Sequence, residues 1–185
     1  MSEPVCYNAP VPAATDERSP SPSGRLRVRP LVSADLAEIA RIERESYTPE
    51  LREGEAALLS KMALFRAGAL GCFDGGRMCG YAFALPWKAG TVIGVGQVLD
   101  ALPAEPDIMY VHDMVVDPAC RRQGVASTLF GEIARLAGLL KLARFVLVAV
   151  QGSPAFWQRL GFHAVESFDY LPGVAATRME MTVQA

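Results

Sequence analysis

Apolar positions along this chain recur with two periods, and the switches between them mark its elements. Residues 25–31, RLRVRPL, set Arg25, Arg27 and Arg29 against Leu26 and Val28, the alternation of a strand. Ser33 then stands as an N-cap with Asp35 in the first turn, and Leu36, Ile39, Ala40 and Glu43 follow at helical spacing. A second helix is predicted over 55–66. The runs ALGCFD and RMCGYAFALPW flank Asp74-Gly75-Gly76, a hairpin signal. Residues 88–107 have Gly, Pro and Val without a period and read as a long loop, of the kind that is functional or mobile.

The second half continues the alternation of element types. DIMYVHDMVV reads as a strand and residues 125–140 as a helix, with Leu129, Ile133, Leu136 and Leu140 on one stripe. ARFVLVAV is an almost unbroken apolar run, as expected of a central strand buried on both faces. In SPAFWQRLGF, Ser153 is placed as N-cap, Pro154 as the first helical residue and Gly161 as C-cap. Strands around 163–168 and 176–182 close the order β α α β β β α β α β β, with no internal repeat.

Composition narrows the class. A chain of 185 residues fits one domain, here 25–185, preceded by a tail over 1–24 whose Pro, Ser and Ala content predicts disorder. With 51% hydrophobic residues it can bury a core. The net charge of −2 lacks the basic excess of a nucleic-acid binder. No run of about 18 apolar residues suggests a membrane span, and the start lacks the pattern of a secretion signal. Cys6, Cys72, Cys79 and Cys120 are too scattered for a zinc site or disulfide scaffold. Reduced thiols in a cytoplasmic protein without a metal are expected.

The stretch from Tyr110 to Gly138, YVHDMVVDPACRRQGVASTLFGEIARLAG, carries the chemistry. Arg121, Gly124 and Ala126 form R-x-x-G-x-A between strand and helix. Small residues there let a ligand approach the backbone, and free amides at the helix start favour an anion. Arg121 and Arg122 add charge-assisted donors for phosphate oxygens. Read this way the turn is a pyrophosphate cradle; read blandly, the arginines are solvated and Gly124 only permits a turn. Neither the Walker spacing nor the G-x-G-x-x-G fingerprint is present.

HDMVVDPACRRQGVASTLF, followed by an apolar strand and FWQRLGF, resembles the GCN5-related N-acetyltransferases (GNAT) from about Leu26 to the C-terminus. The resemblance implies an α+β fold layered α/β/α, with a mixed, mostly antiparallel sheet of about seven strands. It implies that Arg121, Arg122, Gln123, Gly124, Val125, Ala126 and Ser127 bind the pyrophosphate of acetyl-coenzyme A. Its pantetheine would lie along Met114, Val115 and Val116 in a gap between splayed strands, with a backbone N–H, that of Val115, facing the thioester oxygen. The implied reaction is direct acyl transfer to an amine in a ternary complex.

Catalytic candidates come from strand and helix positions. Alternation puts Tyr110, His112 and Met114 on one face and Asp113 on the other, where it would cap or pair. A histidine's unperturbed pKa lies near neutrality, so His112 is the natural base, or else a hydrogen-bonded core histidine. Tyr110 falls where the family places a base or a water-linked base pair. The family's tyrosine acid is replaced by Trp157, so the thiolate leaves unaided or Ser153 or Tyr170 donates. Among the carboxylates Glu43, Glu45, Glu50, Glu53 and Glu55, Glu45 is a candidate to attract a cationic amine, with Tyr47 and Trp87 lining its pocket. A small-molecule amine is the expected acceptor. A homodimer paired through the late strands is compatible with the sequence. Two alternatives remain: an acyl-coenzyme A sensor without catalysis, and a general anion site on an interaction module.

Overall fold

The computed structural model describes residues 26–183, so the tail expected over 1–24 lies outside the described residues. One seven-stranded sheet organises them. Its strands are β1 (Arg27–Pro30), β2 (Ala69–Asp74), β3 (Arg77–Trp87), β4 (Ile108–Val116), β5 (Arg144–Val150), β6 (His163–Leu171) and β7 (Val174–Thr182). The spatial order is β1-β2-β3-β4-β5-β7-β6, and every neighbour is antiparallel except β4 and β5. This is the mixed, mostly antiparallel sheet expected.

Helices cover both faces: α1 (Leu36–Ser46), α2 (Glu55–Leu64), α3 (Val125–Leu139) and α4 (Pro154–Arg159). Ile39 and Ile42 of α1 and Leu58 of α2 pack on Phe73, Tyr81, Phe83 and Val115. On the other face Leu129, Ile133 and Leu136 of α3 and Trp157 of α4 join a core with Ala82, Val111, Phe145 and Leu147. No helix among the described residues is long and apolar enough to cross a membrane.

Two irregularities in β4 create the site. Its parallel pairing with β5 covers only Met109–Val111 against Phe145–Leu147. Beyond that, β4 stays on β3 to Val116 and β5 stays on β7 to Val150, so the two strands splay. Val148 and Val150 are therefore only half-buried, unlike the strand sealed on both faces that the apolar run suggested. The second irregularity is a bulge. Phe83 pairs with Asp113 and Ala84 with Val111, which leaves His112 as the extra residue.

Several local expectations are corrected. Ser33 does not cap α1; residues 33–35 form a 3-10 turn, and the Asp35 carboxylate accepts from the Val32 N–H at 2.8 Å. That carboxylate also pairs with Arg29, at 2.7 and 2.9 Å. Ser153 has helical angles and makes no capping side-chain bond, although Pro154 does begin α4. Helix α2 stops at Leu64 because Phe65 leaves the helical region at φ −147°, and residues 66–68 form a separate turn.

Candidate active site

A cleft of about 870 Å³ opens where β4 and β5 part. The loop leading into α3 forms one end of it, and a single buried carboxylate anchors that loop. Asp117 is fully buried. Its Oδ1 accepts from the Ala119 N–H at 2.8 Å, and its Oδ2 accepts from Arg41 at 2.8 Å and Arg77 at 3.0 Å. Burial alone would raise its pKa; the Arg41, Ala119 and Arg77 donors outweigh that and hold the carboxyl below its ordinary value.

Past this anchor the backbone turns left-handed twice, at Arg122 (φ 63°) and Gly124 (φ 84°). A Cβ at Gly124 would meet nothing within 4 Å, so the chain passes beside open space, and its conformation is what favours glycine. The first bond of α3 runs from the Thr128 N–H to the Gly124 carbonyl at 2.9 Å. The amides of Val125, Ala126 and Ser127 therefore have no carbonyl partner within the helix. Those residues, Arg121, Arg122 and Gly124 line the cleft, as do Met114, Val115 and Val116. Gln123 does not: its side chain folds back on the Ala119 carbonyl at 3.3 Å.

At the other end of the cleft lies a recess of about 50 Å³, lined by Leu51, Glu53, Val95 and Tyr170. Cleft and recess share Tyr47, His112, Asp113, Val148 and Val150, so they meet at the bulge. The Tyr170 hydroxyl donates to the Ile93 carbonyl at 3.0 Å and ties residues 88–107 across the recess. Burial pushes that hydroxyl up to about 12.

The bulge overturns the simple alternation predicted for β4. Tyr110 pairs with Leu85 and Asp113 with Phe83, so Tyr110 and Asp113 share a face. Asp113 joins His112 at the junction, and its Oδ1 accepts from the Tyr47 hydroxyl at 2.6 Å. Burial raises its pKa against the pull of that bond and of His112. The His112 Nε2 lies 2.8 Å from Glu53 Oε1, and Glu53 Oε2 accepts from Lys61 at 3.0 Å. Glu43 is pushed up to about 7 by burial; the Glu53 N–H opposes this, and the charges of Asp113 and Glu53 add to it.

Other predicted residues are placed apart from the junction. Tyr110 is buried beneath it, with its ring 6.1 Å from that of His112, and lines neither cavity. Glu45 lines neither cavity: it pairs with Arg41 at 3.1 Å on the exposed side of α1. Trp87 sits opposite Ile108 at the far end of β3 and packs on the main core, outside both cavities. Ser153 lines the cleft beside Phe156 and Trp157. Sequence reasoning passed over Lys61, gave Glu53 no separate role and turned Asp113 away. Only the insertion of His112 could have signalled Asp113, and a bulge leaves no mark in spacing.

Residues 36–162 match the family model described as Acetyltransferase (GNAT) family. The chain belongs to that family. This acetyltransferase uses acetyl-coenzyme A as acyl donor, and the open turn with its unpaired amides and two guanidinium groups fits the donor's diphosphate. Solved structures share its fold at low identity. Ard1 from Thermoplasma volcanium is 16% identical with a TM-score of 0.69, covering 86% of this chain and 99% of that one. The ribosomal-protein-S18-alanine N-acetyltransferase from Escherichia coli is 16% identical with a TM-score of 0.62, covering 87% and 96%. Rv2747 from Mycobacterium tuberculosis, in complex with CoA and NLQ, is 15% identical with a TM-score of 0.61, covering 85% and 99%. No curated relative matches the sequence.

Proposed function

We propose that this acetyltransferase moves the acetyl group to the primary amine of a small molecule, by direct attack in a ternary complex. The observation that carries this reading is the recess of about 50 Å³ meeting the cleft at His112 and closed by the Tyr170–Ile93 bond. An amine entering it would meet an imidazole and carboxylates in a site withdrawn from solvent. Glu53 and Asp113 attract its ammonium, and His112 accepts the proton that must leave before nitrogen can attack.

Arg121, Arg122 and the amides of Val125–Ser127 hold the diphosphate, and β4 from Met114 to Val116 aligns the pantetheine. A backbone N–H near Val115 donates to the developing oxyanion, a contact worth ~3–4 kcal/mol when aligned. Trp157 stacks edge-on against Phe156 and Phe162, with centroids 5.1 and 5.3 Å away, and its indole is no acid. A free thiol has a pKa of ~8.5, so coenzyme A leaves as thiolate, or Ser153, which lines the cleft, donates a proton to it. Trp157 is also the observation that favours a second reading, a sensor that binds acyl-coenzyme A without turnover.

Free-thiol release, measured over a panel of small amines and of peptides with free N-termini, tests both. Turnover with small amines and none with peptides is expected. Peptides as the better substrates would sink the small-molecule reading. Acetyl-coenzyme A binding without thiol release from any amine would favour the sensor.

A further inference from the structure

Behind His112 the structure holds a buried chain of charge whose innermost member, Lys61, has no part in the acyl-transfer reaction as described so far. Lys61 and Glu53 have side chains 0% and 4% exposed, and that of His112 is 4% exposed. The Lys61 ammonium lies 3.0 Å from Glu53 Oε2, 3.0 Å from the Gln97 carbonyl and 3.5 Å from the Ala57 carbonyl. Three acceptors match its three donors. Glu53 presents its other oxygen, Oε1, to His112 Nε2 at 2.8 Å. Among the described residues His112 Nδ1 is buried without a partner.

We infer that Glu53, held in place by Lys61, is a positioning residue that fixes His112 as the Nε2–H tautomer and leaves Nδ1 as the proton-accepting atom. The inference rests on the reading of His112 as base. A carboxylate only accepts, and the Lys61 ammonium keeps Glu53 ionised, so the shared proton sits on Nε2. The opposite tautomer would press an imidazole lone pair against a carboxylate oxygen at 2.8 Å and bury an N–H without an acceptor. When the substrate ammonium gives up its proton, directly or through one water, Nδ1 takes it. The imidazole becomes imidazolium and Glu53 stays a carboxylate facing it.

The groups around His112 bear on its charge from every side. Glu53 precedes α2 and Lys61 lies on it, Asp113 follows in β4, and Glu43 and Tyr47 come from α1 and its end. Tyr110 lies below and Tyr170 approaches from β6. The same lysine reaches residues 88–107 through Gln97, while the adjacent Ser60 hydroxyl accepts from the Leu99 N–H at 3.1 Å. Helix α2 thus joins the base to the segment that brings Val95 to the recess. A purely structural role gives no reason for ions here, because apolar side chains fill a core without the desolvation cost of a buried pair.

The chain has two histidines, His112 and His163, and His163 is exposed, so imidazole nitrogen resonances of the full chain are readily assigned with His163→Gln. In its neutral form in the apo protein, His112 is expected to show a protonated Nε2 and a bare Nδ1. A protonated Nδ1 in its neutral form would overturn the inference, whatever the substrate proves to be. Glu53→Gln keeps the shape and removes the charge. It should lower kcat at least ~10-fold, within the ~10²–10⁴ that a general base contributes, and leave acetyl-coenzyme A affinity unchanged. It should also move the acid limb of the pH–rate profile to lower pH, because imidazolium loses its counter-charge. An unchanged profile and kcat would reduce Glu53 to a packing role. Should no amine be turned over, the tautomer measurement alone decides for or against the positioning, and the proposed function fails separately.

Discussion

The two ends of the cleft are built in opposite ways. The cradle end comes from one contiguous stretch, Met114 to Ser127, and its arginines and Gly124 stand in open space. The junction end draws Tyr47, Glu53, Lys61, Val95, Asp113 and Tyr170 from five separate segments and buries its charges. Under the proposed function, the difference follows from what each end has to do. Gripping a diphosphate needs several exposed donors in a fixed local geometry, which one turn supplies. Setting a proton's position needs few groups in a dry place, where each interaction is stronger, and a dry place exists only between elements.

Variants at each end should separate the two functions. His112→Ala is expected to have the largest effect, a ~10²–10⁴-fold fall in turnover with acetyl-coenzyme A binding intact. Steady-state rates together with calorimetric titration check it; a loss of binding would show the two ends to be inseparable. Gly124→Glu acts conversely. It forces a charged side chain into a left-handed turn at the proposed diphosphate site, and should remove the ~2.7 kcal/mol that acetyl-coenzyme A at about a hundred times its dissociation constant gives the wild type. A thermal shift of wild-type size would refute the cradle.

Asp117→Ala strikes the anchor of the loop. Losing the Ala119 bond and the ion pairs to Arg41 and Arg77 should cost about 2 kcal/mol in denaturant unfolding and weaken cofactor binding as well. Unchanged stability would mean that the loop holds itself. Glu43→Gln should have the smallest effect, and of the opposite sign. The folded protein holds the Glu43 proton up to about 7 against an ordinary 4.5. Its contribution is therefore fully present below pH 4.5 and is lost as pH rises through about 7. The variant should gain stability at pH 8 relative to pH 4. Parallel stability curves for the two proteins would show that Glu43 ionises normally.

Legibility followed the same division. The hairpin at Gly75-Gly76, both ends of β2 and β3, the end of β4 and the start of α3 stand where the residue pattern placed them. The failures came where a longer-range contact outbid a local rule. Ser33 yielded its expected cap to Asp35, which Arg29 holds from β1. Asp113 turned to the face predicted for Tyr110, because β4 spends an extra residue at His112. Glu45 and Glu53 look alike as letters in an acidic stretch. One ended on an exposed helix side with Arg41, the other between a buried lysine and an imidazole.

Periodicity and glycine placement are properties of neighbouring residues, so they already contain the order of elements and the turn that opens α3. The parting of β4 from β5, the choice of one carboxylate among several and the pairing of a histidine with a glutamate 59 positions earlier depend on how distant segments close around one another. Side-chain periodicity records which face of an element is apolar, but it carries no term for which buried charge meets which.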